Sequence, residues 1–192
     1  DRRQRQMCIR DSVQTAQRKI NSPLAMFSDV SSTAAERELF RNLRKSVPVI
    51  DAAICKLIRL LGTFTVTAKN SRCQQIIDDF MSNVCTNGTG TGINGFVYSY
   101  MESLLTYGEA VGEMVLSRDG KRVVALYNAS VDDVEIQEGS SPLDLVICTK
   151  NDGMITPVKY SNLVFATLLN PEPGTVRGSS LLKGLPFVSC LL

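Results

Sequence analysis

The 192-residue chain contains no histidine and no tryptophan. Without an imidazole, a Ser-His-Asp triad, a Cys-His dyad or a His-ligated metal site cannot be assembled within it. Its six cysteines, at 8, 55, 73, 85, 148 and 190, include no CxxC pair. Cys55 lies in an apolar helical pattern and Cys148 in a strand-like run, and free cysteines behave as small buried hydrophobes. Reduced, structural thiols and folding inside a cell are therefore expected, since disulfide frameworks belong mostly to oxidising compartments. Long apolar runs are also missing. The most apolar stretch, Ala52 to Val66, is broken by Lys56 and Arg59 and falls short of the roughly 20 apolar residues of a membrane span, so no transmembrane helix and no membrane partner are expected. With no low-complexity tract, wholesale disorder is not expected either.

What is present is an ordinary globular composition, 44% hydrophobic and 21% charged, at a length that allows one or two domains with a real core. The net charge of +2 hides an asymmetry: residues 1–98 carry 14 basic and 8 acidic side chains, and residues 99–152 carry 4 basic and 10 acidic ones. Such a chain has a polar field if the two parts fold onto separate faces, but it lacks the dense basic stripe of a dedicated DNA-binding module. It starts at Asp1 and stops at Leu192 inside an apolar run, so a piece of a longer protein is expected, because a half-made apolar stripe would be exposed.

Residues 1–32 are polar and read as an N-terminal arm, solvated or packed on a neighbouring subunit. Thr33 and Glu36 have the spacing of a capping box, which predicts a helix start there. Leu39, Phe40 and Leu43 supply its apolar stripe. Pro48 suits the first turn of a second helix, in which Ile50, Ile54, Leu57, Ile58 and Leu61 fall on one face. Gly62 ends it. Thr63 to Thr67 alternate and predict a half-buried strand. Residues 71–85 predict a third helix, Asn87 to Gly95 a flexible glycine-rich loop, and Phe96 to Tyr107 a fourth helix closed by Gly108. Strands follow: 110–116 and 121–126, joined through an Asp119-Gly120 turn, then 131–136, 143–149, 155–160 and 163–166. Residues 179–192 look helical, divided by Pro186. Helices first and strands after predict an α+β architecture.

Chemical motifs are few. Gly88, Gly90 and Gly92 invite a phosphate-loop reading, but no Gly-Lys-Ser/Thr follows and the loop joins two helical patterns. Asp78-Asp79 on a helix point about 100° apart, and Asp132-Asp133 at a strand start alternate faces; both pairs read as solvated. Ser179-Ser180 resemble a helix cap rather than a nucleophile, with no base of the histidine type available. Tyr98, Tyr100 and Tyr107 have a spacing more typical of a core or interface than of base stacking. No catalytic, cofactor-binding or metal residue is assigned, and a non-enzymatic role is expected.

Four segments together carry a family resemblance. Met101 to Leu126 reads as a helix, a Tyr-Gly-x-Ala turn, a strand, an Arg-Asp-Gly hairpin and a return strand. Tyr127 to Val134 makes a short connection after it. Asn170-Pro171 and Arg177-Gly178-Ser179-Ser180-Leu181 complete the order, and Pro48 to Leu61 precedes a short segment at Thr63 to Thr67. In this order the segments resemble the N-terminal part of tailed-bacteriophage portal proteins, over roughly residues 45–190. The Thr63 segment lacks the Val-Pro-Trp of many relatives. The resemblance implies a wing-like α+β domain over residues 33–192 after the arm at 1–32, with the stem, clip and crown beyond Leu192. It implies a structural subunit of a homo-oligomeric ring, a dodecamer, at the capsid vertex of the virion, assembled in the host bacterial cytoplasm. Double-stranded DNA would pass through the full-length ring, and the major capsid protein, the packaging terminase and connector or tail proteins would be its partners. It implies no cofactor. Another virion subunit, of the capsid or neck, or a non-catalytic fragment of a larger enzyme, are the alternatives.

Overall fold

A computed structural model of the chain describes residues 30–87, 90–140, 144–151, 153–173 and 175–185. Its helices are α1 (Val30–Ser46), α2 (Pro48–Leu60), α3 (Ser71–Asn83) and α4 (Ile93–Tyr107). Its strands are β1 (Cys85–Thr86), β2 (Gly90–Thr91), β3 (Glu109–Leu116), β4 (Val123–Asn128), β5 (Val134–Glu138), β6 (Leu145–Asn151), β7 (Met154–Pro157) and β8 (Val164–Leu168). The class is α+β, as the pattern of helices and strands predicts.

Two sheets and a helical layer are stacked. The first sheet runs β2-β1-β4-β3-β8 and the second β5-β6-β7. All pairings are antiparallel except β1 on β4. Strand β3 lies between β4 and β8 and is buried on both faces, and its alternation sorts the core into two parts. Val111 looks toward the second sheet, where it packs with Val134, Ile136, Ile147 and Val164. Met114, one pleat over, joins Val84, Phe96 and Leu126 beneath α4. A third cluster, Phe40, Ile54, Ile58 and Leu182, binds α1 and α2 to the far side of α4 and to the chain's last described turn.

Several local expectations are corrected. Helix α1 begins at Val30, so Thr33 stands inside it rather than at its cap. Of the expected stripe, Phe40 and Leu43 do face the core, but Leu39 does not. Leu39 is exposed, and Arg37 and Phe40 are buried, because carboxylates of other elements meet the arginines there. Residues 63–67 form no strand: the segment is exposed and belongs to neither sheet. The glycine-rich loop is in part a tight hairpin, with Thr86 opposite Gly90, and Gly88 lies outside the described residues. Residues 131–133 are a turn, not a strand start. Residues 181–184 are turns, and the rest of the helical expectation at 179–192 lies outside the described residues, as does the arm 1–29. The Asp119-Gly120 turn is as expected: Gly120 has φ +68°, with Ser117 N donating to Arg122 O at 2.8 Å. Among the cysteines, Cys148 is buried, Cys55 half-buried, and Cys73 and Cys85 exposed. The last two contradict a uniformly buried set, because α3 and the β1 edge have too little protein opposite them to cover a thiol. No described helix is long and apolar enough to cross a membrane.

Candidate functional site

The most tightly joined part of the molecule lies where α4 ends. Gly108 closes the helix in the left-handed region, φ +81°, and its N–H donates to Leu104 O at 2.9 Å. The segment around Gly178 is laced across this cap. Leu169 N donates to Gly108 O at 2.8 Å, Ser179 N to Leu169 O at 2.7 Å, and Leu181 N to Leu105 O at 3.2 Å. A Cβ on Gly108 would meet the backbone of Gly178, Ser179 and Ser180 at 2.7 Å, and a Cβ on Gly178 would run into Gly108 O. Only two glycines allow this approach. The Tyr-Gly-x-Ala and Arg-Gly-Ser-Ser segments, about 70 residues apart in sequence, are thus one structural unit. Buried Ser180 accepts from Leu182 N at 2.9 Å and donates to Thr106 O. Its hydroxyl is committed on both sides, but the segment it leads into, 181–184, is a turn rather than the helix it was expected to cap.

Beside this unit opens a cleft of about 270 Å3, walled by α1, β5, β6 and the 172–183 segment. Charged side chains of both signs line it in pairs. Arg37 meets Glu109, Lys150 Nζ lies 3.3 Å from Glu135 Oε2, and Lys183 Nζ lies 3.3 Å from Glu172 Oε1. Burial lowers the Lys150 pKa, the charge of Arg37 lowers it further, and Glu135 opposes both. Above the cleft, Arg41 bridges Glu38 and Asp132, the latter at 2.6 Å, and its guanidinium lies 5.9 Å from the centre of the Tyr107 ring. Arg44 binds Asp51 through Nε at 2.9 Å and Glu102 at 2.8 Å. Burial works against the Arg44 charge, but these carboxylates outweigh it and raise its pKa. Arg37, Arg41 and Arg44 are spaced i, i+4 and i+7 on one side of α1, and each reaches a carboxylate outside the helix. Chemically this is a set of charge-assisted clamps that orient α1 over the sheets. Among the described residues, no group of three or more His, Cys, Asp or Glu is placed to hold a metal ion.

The other residues considered in the sequence are scattered. Asp78 and Asp79 are exposed on α3 and accept from Gln74 and Asn83, each at 2.8 Å. Asp132 is not simply solvated, since it takes the Arg41 pair. Gly90 sits in β2 and Gly92 precedes α4 directly, so the loop is locally strand-to-helix; a Cβ on Gly90 would meet Thr86 Oγ1 at 2.5 Å, which ties that glycine to hairpin packing. Tyr100 stacks on Phe96 and meets Phe165 at a tilt, the two phenylalanines also touching edge to face, and its hydroxyl binds Thr167 Oγ1 at 2.8 Å. Burial raises its pKa, partly offset by that hydrogen bond. Tyr98 is exposed.

Sequence reasoning missed the arginine face, the Lys150–Glu135 pair, and Glu113, a carboxylate only 1% exposed on β3. Periodic arginines read as a solvated helix face, and a glutamate in a strand reads as an outward one. The i, i+4, i+7 spacing of the arginines was the available signal.

An exposed apolar ridge is the other marked feature. Val49 and Leu60 are 71% and 72% exposed on α2. Leu57 is exposed on the same helix, and Leu61, Phe64 and Val66 are exposed in the segment that follows it.

No family model and no curated protein matches the chain. A solved structure described as "Neck of empty GTA particle computed with C6 symmetry" contains a chain similar to this one, at 12% sequence identity. The match covers 95% of this chain but 46% of that one, so the chain spans less than half the length of its neighbour. At a TM-score of 0.55, the likeness is one of fold: the helical layer and its two sheets form an architecture also found in the neck of that particle.

Proposed function

We propose that this chain is a non-catalytic structural subunit of a phage-like virion, and more narrowly part of the portal ring at its DNA-passage vertex. The observation that carries the reading is the fold match, over nearly the whole chain, to a neck chain of a GTA particle, a gene transfer agent that is itself phage-like. The contact of Gly108 with Gly178 supports the narrower reading. It makes one compact unit of two segments that resemble portal proteins, where independent turns would need no such contact. The use of charged and hydroxyl side chains as clamps and caps fits a part whose work is shape and neighbours. In this reading the ring's partners are capsid, packaging motor, tail components and the DNA within its channel, as the portal resemblance implies.

The neighbour's description as a neck favours a second reading, in which the subunit belongs to another ring of the neck. Electron microscopy of the assembled full-length protein separates the two. Closed rings with a central opening wide enough for duplex DNA, bound at the capsid vertex, are expected. Rings found only between vertex and tail would establish the second reading. A protein that forms no ring, or one with turnover of a substrate, would overturn both.

A further inference from the structure

Gln74, in the first turn of α3, holds the segment that precedes the helix. Its side-chain amide donates to Val66 O at 3.0 Å and accepts from Ala68 N at 2.7 Å. These are the two bonds that one residue of a parallel neighbouring strand would make. The amide nitrogen also donates to Asp78 Oδ1 at 2.8 Å, one helical turn further on, which fixes the amide in this orientation. Thr63 to Thr67 have the alternation of a strand, and all five residues are exposed. Apart from the bond to Gln74, no backbone N–H or C=O of these five residues has a hydrogen-bond partner among the described residues.

Between this segment, α3 and the start of α4 runs an open groove of about 750 Å3, a size within the range of about 300–1,000 Å3 usual for ligand sites. Phe64, Val66, Met81 and Ile93 give it apolar walls, and Asp78 is the one charged residue among those that line it. Asp78 accepts the Gln74 bond and, like its neighbour Asp79, is in no ion pair among the described residues.

We infer that this groove is a docking site for an extended segment of a partner protein, taken up as an added strand with a lysine or arginine set against Asp78. The incoming backbone runs in line with the Gln74 amide, which already fills one place of the missing strand. Alternate residues of a strand present their backbone groups to one edge, so the pairing falls to Phe64, two residues before Val66. Main-chain bonds supply the affinity of such an addition, and the side chains beside them supply its selectivity. Apolar side chains at alternate positions of the partner match Phe64 and Val66, which are exposed in this chain. A cation is selected because no basic residue lines the groove to offset Asp78, and an acidic segment would set carboxylate against carboxylate. The inference does not rest on the portal or the neck reading, and its test needs no ring.

The test titrates the full chain with a capped heptapeptide of alternating valine and threonine that carries a lysine at its centre, and reads amide hydrogen exchange at Phe64. Exchange there is expected to be fast without the peptide and at least about tenfold slower with it. The same peptide with glutamate in place of lysine, and a version N-methylated along its pairing edge, are expected to bind at least about tenfold more weakly. Asp78→Asn, on an exposed position of α3, is expected to abolish the preference for lysine over glutamate. No protection of Phe64 at millimolar peptide, equal binding of the lysine and glutamate peptides, undiminished binding of the N-methylated one, or a preference that survives Asp78→Asn would each overturn the inference. Slow exchange at Phe64 before any peptide is added would show that the groove is filled by the chain itself or by a second copy, and would overturn the assignment to a partner protein.

Discussion

Helices α3 and α4 have similar lengths, 13 and 15 residues, and both carry Ile, Phe and Met on one side. Yet α4 buries Phe96, Leu104 and Thr106, while α3 buries no residue at all, and its Ile76 is 64% exposed. The difference lies in what stands opposite. The first sheet lies under one side of α4, helices α1 and α2 lie on the other, and the Gly108–Gly178 contact clamps its end. Helix α3 lies by the two-residue strands at the sheet edge, and Phe80 is among its few links to the core. An amphipathic period therefore says that a helix has an apolar face, but not how much protein there is to cover it. The same holds within α2, whose inner stripe is buried and whose outer stripe is bare.

This contrast can be broken or sharpened by substitution. The largest effect is expected at the clamp. Gly178→Ala drives a Cβ into the Gly108 carbonyl, and backbone cannot give way as a flexible side chain does. Overpacking alone costs about 1–3 kcal/mol, so a loss of about 3 kcal/mol or more is expected, read as a fall in the denaturation midpoint; an unchanged midpoint would mean that the two segments do not touch. Next comes the inner stripe of α2: Ile58→Ala should destabilise by roughly 2–5 kcal/mol, as Ile58 is 5% exposed, and a cost near zero would put this stripe outside the core. At the β3–β4 turn nothing lies within 4 Å of a Cβ on Gly120, so Gly120→Val meets only the strain of its positive φ, about 1–2 kcal/mol. A loss as large as that of Gly178→Ala would contradict this separation of steric from torsional cost. The smallest change is expected on α3, where Ile76→Ser should stay within about 0.5 kcal/mol. Equilibrium unfolding of that variant distinguishes an exposed α3 face from one that buries more than the structure shows.

Much of the fold was legible because its signals are local. The start of α2 at Pro48, the end of α4 at Gly108 and the turn at Gly120 each follow from what one residue permits or forbids in its own backbone. The failures came where a partner distant in the chain decides. Thr63 to Thr67 have the alternation of a strand, yet no neighbouring strand lies beside them. The arginine side of α1 was missed because Glu109, Asp132 and Glu102, which receive its arginines, lie 58 to 91 positions further along. Leu39 lost its expected burial to that choice of face. Of the candidate site, the glycine at each end was readable, and the contact between Gly108 and Gly178 was not, since nothing in sequence spacing announces that two glycines will touch.

By itself, then, the amino-acid sequence determined the inventory. Lack of histidine removes imidazole chemistry, glycines set the sharp ends, and apolar periods of 3.6 and 2 set the elements and their class. Only the tertiary structure decided which carboxylate takes which arginine, which apolar stripe is covered, and where backbone meets backbone without a side chain between. The physical reason is range. Torsional preference and periodicity act over a few residues, whereas desolvation, ion pairing and close packing depend on what the folded chain brings alongside.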